Sequence, residues 1–446
     1  MESLTMNSLI IESISTNSIF QYKNNPRLHN AKQIKQIAKS INSAGFINPV
    51  LLDDKNVLIA GHGRLQAAKE LGLAEVPAIR IKHLSESQIR AYRIADNKIA
   101  ENSTWDEELL RVELDYFSHI DLDIDIESTG FTTPEIDILL DESSSSDKEE
   151  SPPPPPSDPV TRSGDLWFLG NNRVYCGDCR DPAAVKLLLN NKRARMIITD
   201  PPYNVRIDGH ARGLGKDHHS DFQMAAGKMS PEEFTQFLKE AISQLASHCV
   251  EGSLHYLFMD WRHINELLLA TQDIFDSQLN LCVWAKTNGG MGSMYRSQHE
   301  LVFVFKKGKA PHINNIQLGQ YGRYRTNVWQ HAGVNSFGAE RSEALAIHPT
   351  VKPTQLIADA ILDASHRQDI ILDGFLGSGT TILAAERTGR VCYGLEIDPQ
   401  YVDVCLTRWM VETGGMPVLE TSKETYRQVA RKRGISIDAE NEVHHE

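Results

Sequence analysis

The sequence predicts an α/β fold, a doubly wound parallel sheet preceded by a small α+β module. Three observations predict it. After residue 160, apolar runs of strand length alternate with segments of helical period. Before residue 100, shorter strands and helices alternate. Between the two, residues 141–160 read DESSSSDKEESPPPPPSDPV, and serines, acids and five consecutive prolines cannot build a core. Those prolines favour an extended polyproline II spacer, so 141–160 is predicted as a linker. The remaining divisions are a module over 1–100, an acidic, helical appendix over 101–140, a larger domain over 161–420 and a polar tail over 421–446.

In the first module, Ile34, Ile37, Ala38 and Ile41 line one helical face, which Gly45 can close. Pro49–Leu52 and Val57–Ala60 read as strands around a polar turn. Gly61-His62-Gly63-Arg64 leads into a short helix, Leu65–Leu71, and Val76–Ile81 reads as a further strand. Ser85 and Gln88 form a capping-box pattern that opens a helix through about Ile99. The apolar residues Leu109, Leu110, Ile136 and Leu139 indicate that the acidic stretch is helical and packed.

In the larger domain, strands are predicted at Met196–Thr199, Leu254–Met259, Leu281–Ala285, Leu301–Phe305, Ile370–Phe375 and Val391–Ile397. Ser230-Pro231-Glu232-Glu233 opens a helix with buried face Phe234, Phe237, Leu238, Ala241 and Leu245. Pro353–Ala364 and Thr380–Glu386 complete the alternation.

No run approaches 18 apolar residues, and the N-terminus lacks a basic and then apolar leader, so a cytoplasmic protein without a membrane span is expected. The net charge of −13 argues at first against nucleic acid. Its distribution removes that objection: residues 1–100 carry 13 basic and 8 acidic side chains, and 101–158 carry 2 and 18. The acidic segment is expected to keep the first module off a nucleic-acid groove, to compete for that groove as a mimic of phosphate charge, or to serve solubility alone.

Two segments carry the chemistry. Asp200-Pro201-Pro202-Tyr203 follows a strand directly. Two prolines end a ladder and fix φ, leaving carbonyl acceptors beside a carboxylate and an aromatic face. A flat ring with an exocyclic amino group matches those acceptors. Asp373-Gly374-Phe375-Leu376-Gly377-Ser378-Gly379-Thr380 joins a strand to a helix, so the backbone can approach a ligand closely. It has neither the third glycine of a dinucleotide site nor the lysine of a P-loop. Glu396 ends the next strand, where an acid can take both hydroxyls of a ribose. Together they suit an adenosine-bearing ligand without a polyphosphate.

These motifs resemble the β-class amino-group DNA methyltransferases, with the tetrapeptide first and the glycine loop about 170 residues later. The resemblance covers about residues 162–412 and implies a Rossmann-like, S-adenosylmethionine-dependent domain. It implies that Asp178, after Gly177, lies near the cofactor's adenosine. It places His348-Pro349-Thr350-Val351-Lys352-Pro353 beside the methionine end. Asp373, Phe375, Gly377, Gly379, Thr380 and Glu396 would complete the cofactor site, with Asp373 toward the cationic side of the methionine part. Gly374 departs from the family, which commonly has Pro there. The target base would leave the duplex, stack on Tyr203 and give its amino protons to Asp200 and the Pro201 carbonyl. Aspartate in first position implies N6-adenine, with N4-cytosine as the alternative.

Residues 286–325 hold Lys286, Arg296, Lys306, Lys307, Lys309, Arg323 and Arg325 against one acid, Glu300. Arg296, Arg323 and Arg325 are the DNA-binding candidates, and 206–228 reads as a loop over the site that could also grip phosphates. Cys176 and Cys179 form a C-x-x-C with no second pair, so no metal is expected.

In the first module, Gly61, His62, Gly63 and Arg64 put amides and a guanidinium at a helix start, a phosphate-binding geometry. Asn25-Pro26-Arg27 and the Gly61, Arg64, Ala67 spacing resemble the ParB/sulfiredoxin-like fold over about residues 10–100. That implies a nucleotide as ligand. The sulfiredoxin cysteine is missing, since the first cysteine is Cys176, and only about 40 acidic residues stand where partition proteins carry a helix-turn-helix domain.

The expected function is site-specific, adenine-N6 DNA methylation of double-stranded DNA, with a homodimer compatible. Such fusions resemble phage or mobile-element enzymes, among which a solitary methylase without a restriction partner is expected. The rivals are a regulatory DNA- or nucleotide-binding protein with an inactive methylase domain, and methylation of amino groups of RNA or protein.

Overall fold

The computed structural model describes residues 9–119, 126–141, 152–204, 228–287, 289, 294–316, 324–331 and 351–436. The chain forms two compact units, 1–145 and 146–446.

In the first unit, β1 (Ile11–Ser15), β2 (Val50–Leu52), β3 (Leu58–Ala60) and β4 (Glu75–Arg80) form a sheet in the order β1-β4-β2-β3. The helix Ala31–Ala44 starts at Asn30, whose side chain accepts from the Gln33 amide, and ends at Gly45 with φ 83. Its Ile34 is fully buried, whereas Ile37, Ala38 and Ile41 are half-buried. Both halves of the Ser85–Gln88 capping box are present, and that helix runs Glu86–Glu101. β1 was not anticipated, because its residues alternate only weakly and Ile11 stays 62% exposed on an edge strand. The acidic segment holds helices Glu107–His119 and Thr133–Asp141. It packs on the unit through the Lys39–Glu127 ion pair and a bond from Gln36 Nε2 to the Gly130 carbonyl (2.6 Å).

The second unit is built on a ten-stranded sheet. Its strands are β5 (Leu166–Leu169), β6 (Asn172–Cys176), β7 (Ala194–Thr199), β8 (Cys249–Met259), β9 (Ser277–Ala285), β10 (His299–Lys307), β11 (Val328–Gln330), β12 (Ile370–Asp373), β13 (Val391–Glu396) and β14 (Val418–Leu419). The order is β11-β9-β10-β8-β7-β12-β13-β6-β5-β14. The centre, β8-β7-β12-β13-β6, is parallel as expected. Both flanks add antiparallel pairs that strand–helix alternation alone does not announce. The helix Pro231–Ser247 has its complete cap, Ser230 with Glu233, and buries Phe234, Phe237, Leu238, Ala241 and Leu245. Residues 426–433, within the polar stretch expected as a frayed helix or tail, form a capped helix with Tyr426, Val429 and Ala430 buried. The proline run 152–156 carries neither helix nor strand, and Pro152 is buried.

No described helix is long and apolar enough to cross a membrane. The start of the second unit is fixed by a buried carboxylate. Asp403, on the helix Pro399–Thr413, accepts from the Val160 amide (2.5 Å), the Thr161 amide (3.1 Å) and the Thr161 hydroxyl (2.5 Å). Asp403→Ala strands these three donors and takes away the partner of the Tyr426 hydroxyl. The expected loss is about 1–3 kcal/mol, read as a lower urea midpoint with an unchanged slope.

Candidate active site

The parallel centre of the sheet brings together what the sequence keeps apart. β7, β12 and β13 are neighbours. Asp200 follows β7, the glycine loop follows β12 and Glu396 ends β13, so all three lie at the carboxyl edge where such sheets bind ligands.

Asp373 anchors the loop. It is buried and accepts from the Thr199 hydroxyl (2.7 Å), the Thr381 hydroxyl (2.7 Å) and the Phe375 amide (3.0 Å). Burial pushes its carboxyl up to about 6, although these donors pull the other way. Gly379 caps the next helix at φ 85, and a Cβ there would meet Cys405 Sγ at 2.4 Å, so only glycine fits. A Cβ on Gly377 would meet nothing within 4 Å, which leaves the loop's backbone open to a ligand. Thr380 is buried beside Arg408, which bonds the Ser378 carbonyl (2.8 Å). The Phe375 ring lies 6.0 Å from that of Phe237.

Glu396 accepts from the Gly377 amide (2.8 Å) and the Asp398 amide (2.9 Å), one on each oxygen. Each oxygen keeps a lone pair. Burial pushes its carboxyl up to about 7. The Gly177 amide bonds the Glu396 carbonyl (2.8 Å), which brings Asp178 to the same edge. Asp178 pairs with Arg180 at 2.7 Å, and that guanidinium outweighs burial and holds its carboxyl low.

Around Asp200 the structure differs from expectation. Lys352 was expected with the cofactor residues, but its ammonium lies 2.5 Å from Asp200 Oδ2 and 3.1 Å from Glu300 Oε2. Tyr203 donates its hydroxyl to Asp200 Oδ1 (2.5 Å) and lies 3.2 Å from Glu300 Oε2. Lys286 reaches Glu300 Oε1 at 2.5 Å. Burial raises the Asp200 carboxyl and the Tyr203 phenol. Burial also works on Glu300, but Lys352 and Lys286 outweigh it and hold that carboxyl at about 2. Pro201 is buried and Pro202 half-buried. The resemblance included Tyr295 to Glu300, which lead into β10, and the glycine-loop segment ran through Thr381, but sequence reasoning gave Glu300, Lys286, Thr199 and Thr381 no role in this cluster. The single acid within a basic stretch was the signal for Glu300.

The DNA-facing candidates separate. Arg296 is exposed between β9 and β10, beside Tyr295, which is 82% exposed. Arg325 instead pairs with Asp359 (2.6 Å) and Asp363 (3.1 Å) and is only 17% exposed, so its charge is used inside the fold. Arg323, His348, Pro349 and Thr350 lie outside the described residues, as does 206–227 of the expected loop.

In the first unit, Gly61 caps the helix His62–Glu70 at φ 95. Arg64 reaches the Pro49 carbonyl at 3.4 Å, and burial lowers its affinity for protons. Burial, with His29 and Arg93 nearby, pushes His62 down to about 4. Among the described residues, His62 Nε2, Arg64 Nε and Arg93 Nε are buried without hydrogen-bond partners. A Cβ on Gly63 would meet Ile37 at 2.8 Å, so that position also serves helix packing.

Comparison with known proteins gives three matches along the chain. Residues 194–407 match the DNA methylase family, 2–98 the ParB N-terminal domain and 108–163 the ParB-methyltransferase helix-turn-helix domain. The last falls on the stretch expected as an acidic appendix and linker. The chain is 27% identical over 266 residues to the type II methyltransferase M.HpaI of Haemophilus parainfluenzae, covering 56% of this chain and 78% of that protein. It is 24% identical over 282 residues to M2.MboI of Moraxella bovis, covering 60% and 96%. Among solved structures, the PvuII DNA methyltransferase (cytosine-N4-specific) aligns with a TM-score of 0.42 at 16% identity, over 62% of this chain and 94% of that one. The chain thus carries a DNA methylase domain of the N6/N4 amino-methyltransferase family, behind a ParB N-terminal domain and a ParB-methyltransferase helix-turn-helix domain.

Proposed function

We propose that this chain transfers the methyl group of S-adenosylmethionine to the exocyclic N6 of adenine at a specific site in double-stranded DNA. The observation that carries the reading is the Asp200 carboxylate directly after β7, one strand from the glycine loop and two from Glu396. The residues fit the cofactor. The loop backbone at Gly377 has open space, and Glu396 keeps two lone pairs for a ribose diol. Asp178, Phe375, Gly379 and Thr380 are proposed around it, with Asp373 holding the loop. When bound, the cofactor supplies a sulfonium methyl carbon, to which the amino nitrogen bonds as the carbon–sulfur pair returns to sulfur. Asp200 and the Pro201 carbonyl would hold the amino hydrogens, Tyr203 would carry the ring, and the surplus proton would leave through Asp200. Most of the acceleration would be positioning and electrostatics. Arg296 is the described cation proposed to meet DNA phosphate.

Asp200→Ala is expected to abolish transfer of tritium-labelled methyl to DNA while cofactor binding persists. Wild-type transfer in that variant would refute the assignment. Mass spectrometry of nucleosides from the methylated DNA identifies the base, and N4-methylcytosine there would replace adenine as the target.

Glu396 generates a pH prediction. Its carboxyl lies at about 7 in the fold, above its ordinary 4.5. The protonated form therefore favours the empty fold, a contribution full below about 4.5 and lost as pH rises through about 7. A ribose diol donates to the ionised form, so cofactor affinity should weaken as pH falls below about 7. Titration calorimetry at pH 6 in buffers of different protonation enthalpy should register proton release on binding. Glu396→Gln should reduce that release, leaving the share of Asp373, whose carboxyl lies at about 6.

For the first unit, the unpartnered Nε–H groups of Arg64 and Arg93, with the His62 ring near Arg93, support a nucleotide phosphate as ligand. Photo-crosslinking of labelled CTP or ATP to residues 1–140 of the full chain is expected, and Arg64→Ala should lose it. Equal labelling in that variant would leave the motif with a packing role alone.

A further inference from the structure

We propose that Glu300 is a positioning residue for methyl transfer, the counter-ion that receives Lys352 when a target amino group takes its place on Asp200. The inference rests on the methyltransferase reading above. Both oxygens of Asp200 already accept protein donors, Oδ1 from the Tyr203 hydroxyl and Oδ2 from the Lys352 ammonium, each at 2.5 Å. Each oxygen keeps a lone pair, but an amino hydrogen arriving at Oδ2 meets the charged ammonium already bonded there, so the two donors compete for that oxygen. Tyr203 is tied to Asp200 by only three residues of chain, and as the stacking surface it stays. Lys352 is the group that can yield.

Where the ammonium goes is set by its surroundings. Lys352 is 6% exposed, so it cannot be released to water. It is walled by Phe258 (5.3 Å), Tyr203 (5.7 Å) and Trp284 (6.0 Å), ring faces that tolerate a cation but do not neutralise it. Leaving a buried charge without an anion is strongly unfavourable. Glu300, 8% exposed and already 3.1 Å from Lys352 Nζ, is a carboxylate within reach. Lys286 fixes its other oxygen at 2.5 Å, so Glu300 holds still while Lys352 moves. Two carboxylates face two ammonium groups, and the cluster is neutral before and after the exchange. The two lysines also hold Glu300 at about 2, so it stays charged wherever the enzyme works.

A double-mutant cycle tests this. Single-turnover methyl transfer to DNA is measured for the unsubstituted protein, Glu300→Gln, Lys352→Met and the double variant. Cofactor affinity is measured by calorimetry. Glu300→Gln should slow transfer by at least about tenfold at saturating DNA, because Lys352 stays on Asp200. Cofactor affinity should change by less than about threefold, since Glu300 touches none of the proposed cofactor residues. The double variant should be no slower than Lys352→Met, because Glu300 acts through that lysine. Multiplying losses, or full speed in Glu300→Gln, would overturn the inference. Should Glu300→Gln fail to fold, the unsubstituted protein with target DNA and a non-transferring cofactor analogue answers the same question crystallographically. Lys352 bonded to Glu300 and off Asp200 is expected, and Lys352 still on Asp200 beside a bound base overturns it. An unsubstituted protein that transfers no methyl to DNA overturns the methyltransferase reading as well, whereas active protein with multiplying losses overturns this inference alone.

Discussion

A single hydroxyl joins the two halves of the site. Thr199, the last residue of β7, donates to Asp373 at the end of β12 (2.7 Å) and accepts from the Gly374 amide (3.2 Å). It thus locks the strand that presents Asp200 to the strand that launches the glycine loop. Parallel pairing carries the alignment onward to β13 and Glu396. Neighbouring strands lie about 4.8 Å apart, so acceptor, loop and acid fall within roughly 10 Å across the sheet edge. Residues almost 200 positions apart therefore share one cleft because three strand ends are level.

The carboxyl groups of that cleft are of two kinds. Asp373 and Glu396 are bonded only by neutral amides and hydroxyls, and burial leaves them reluctant to ionise. Such acids favour a ligand that brings positive charge or strong donors. Glu300 has two ammonium partners and stays charged. Asp200 stands between, buried like the first pair but holding one ammonium. A division into ligand-seeking and self-neutralised acids suits a site that must bind a cation and then handle an amine.

The sequence disclosed what depends on short-range geometry. A tetrapeptide that stops a strand, a glycine turn before a helix and an acid at the next strand end are each readable within a few residues. So are the caps at Ser85 and Ser230. What escaped depends on long-range partners. Glu300 meets Tyr203 across 97 positions, and no periodicity announces such a pair. Arg325 read as a DNA contact because charge clustering shows sign but not partner. Asp359 and Asp363 sit one turn apart on the helix Thr354–Ala364, and that pair claims it. The segment 101–140 read as an appendix because its acidity hid the helix-turn-helix likeness. β14 escaped because a strand of two residues carries no pattern.

The second unit closes on itself at its far edge. Arg433 on the last described helix donates to the Val160 carbonyl (2.5 Å) and pairs with Asp165 (2.6 Å), and Tyr426 packs edge-on against Trp167. The first and last described stretches of the unit are thus in contact, on the side of the sheet order opposite β11. A domain whose two ends meet is portable. It can be spliced behind an unrelated module, or opened elsewhere and rejoined at these ends, without disturbing the level strand ends on which the chemistry stands.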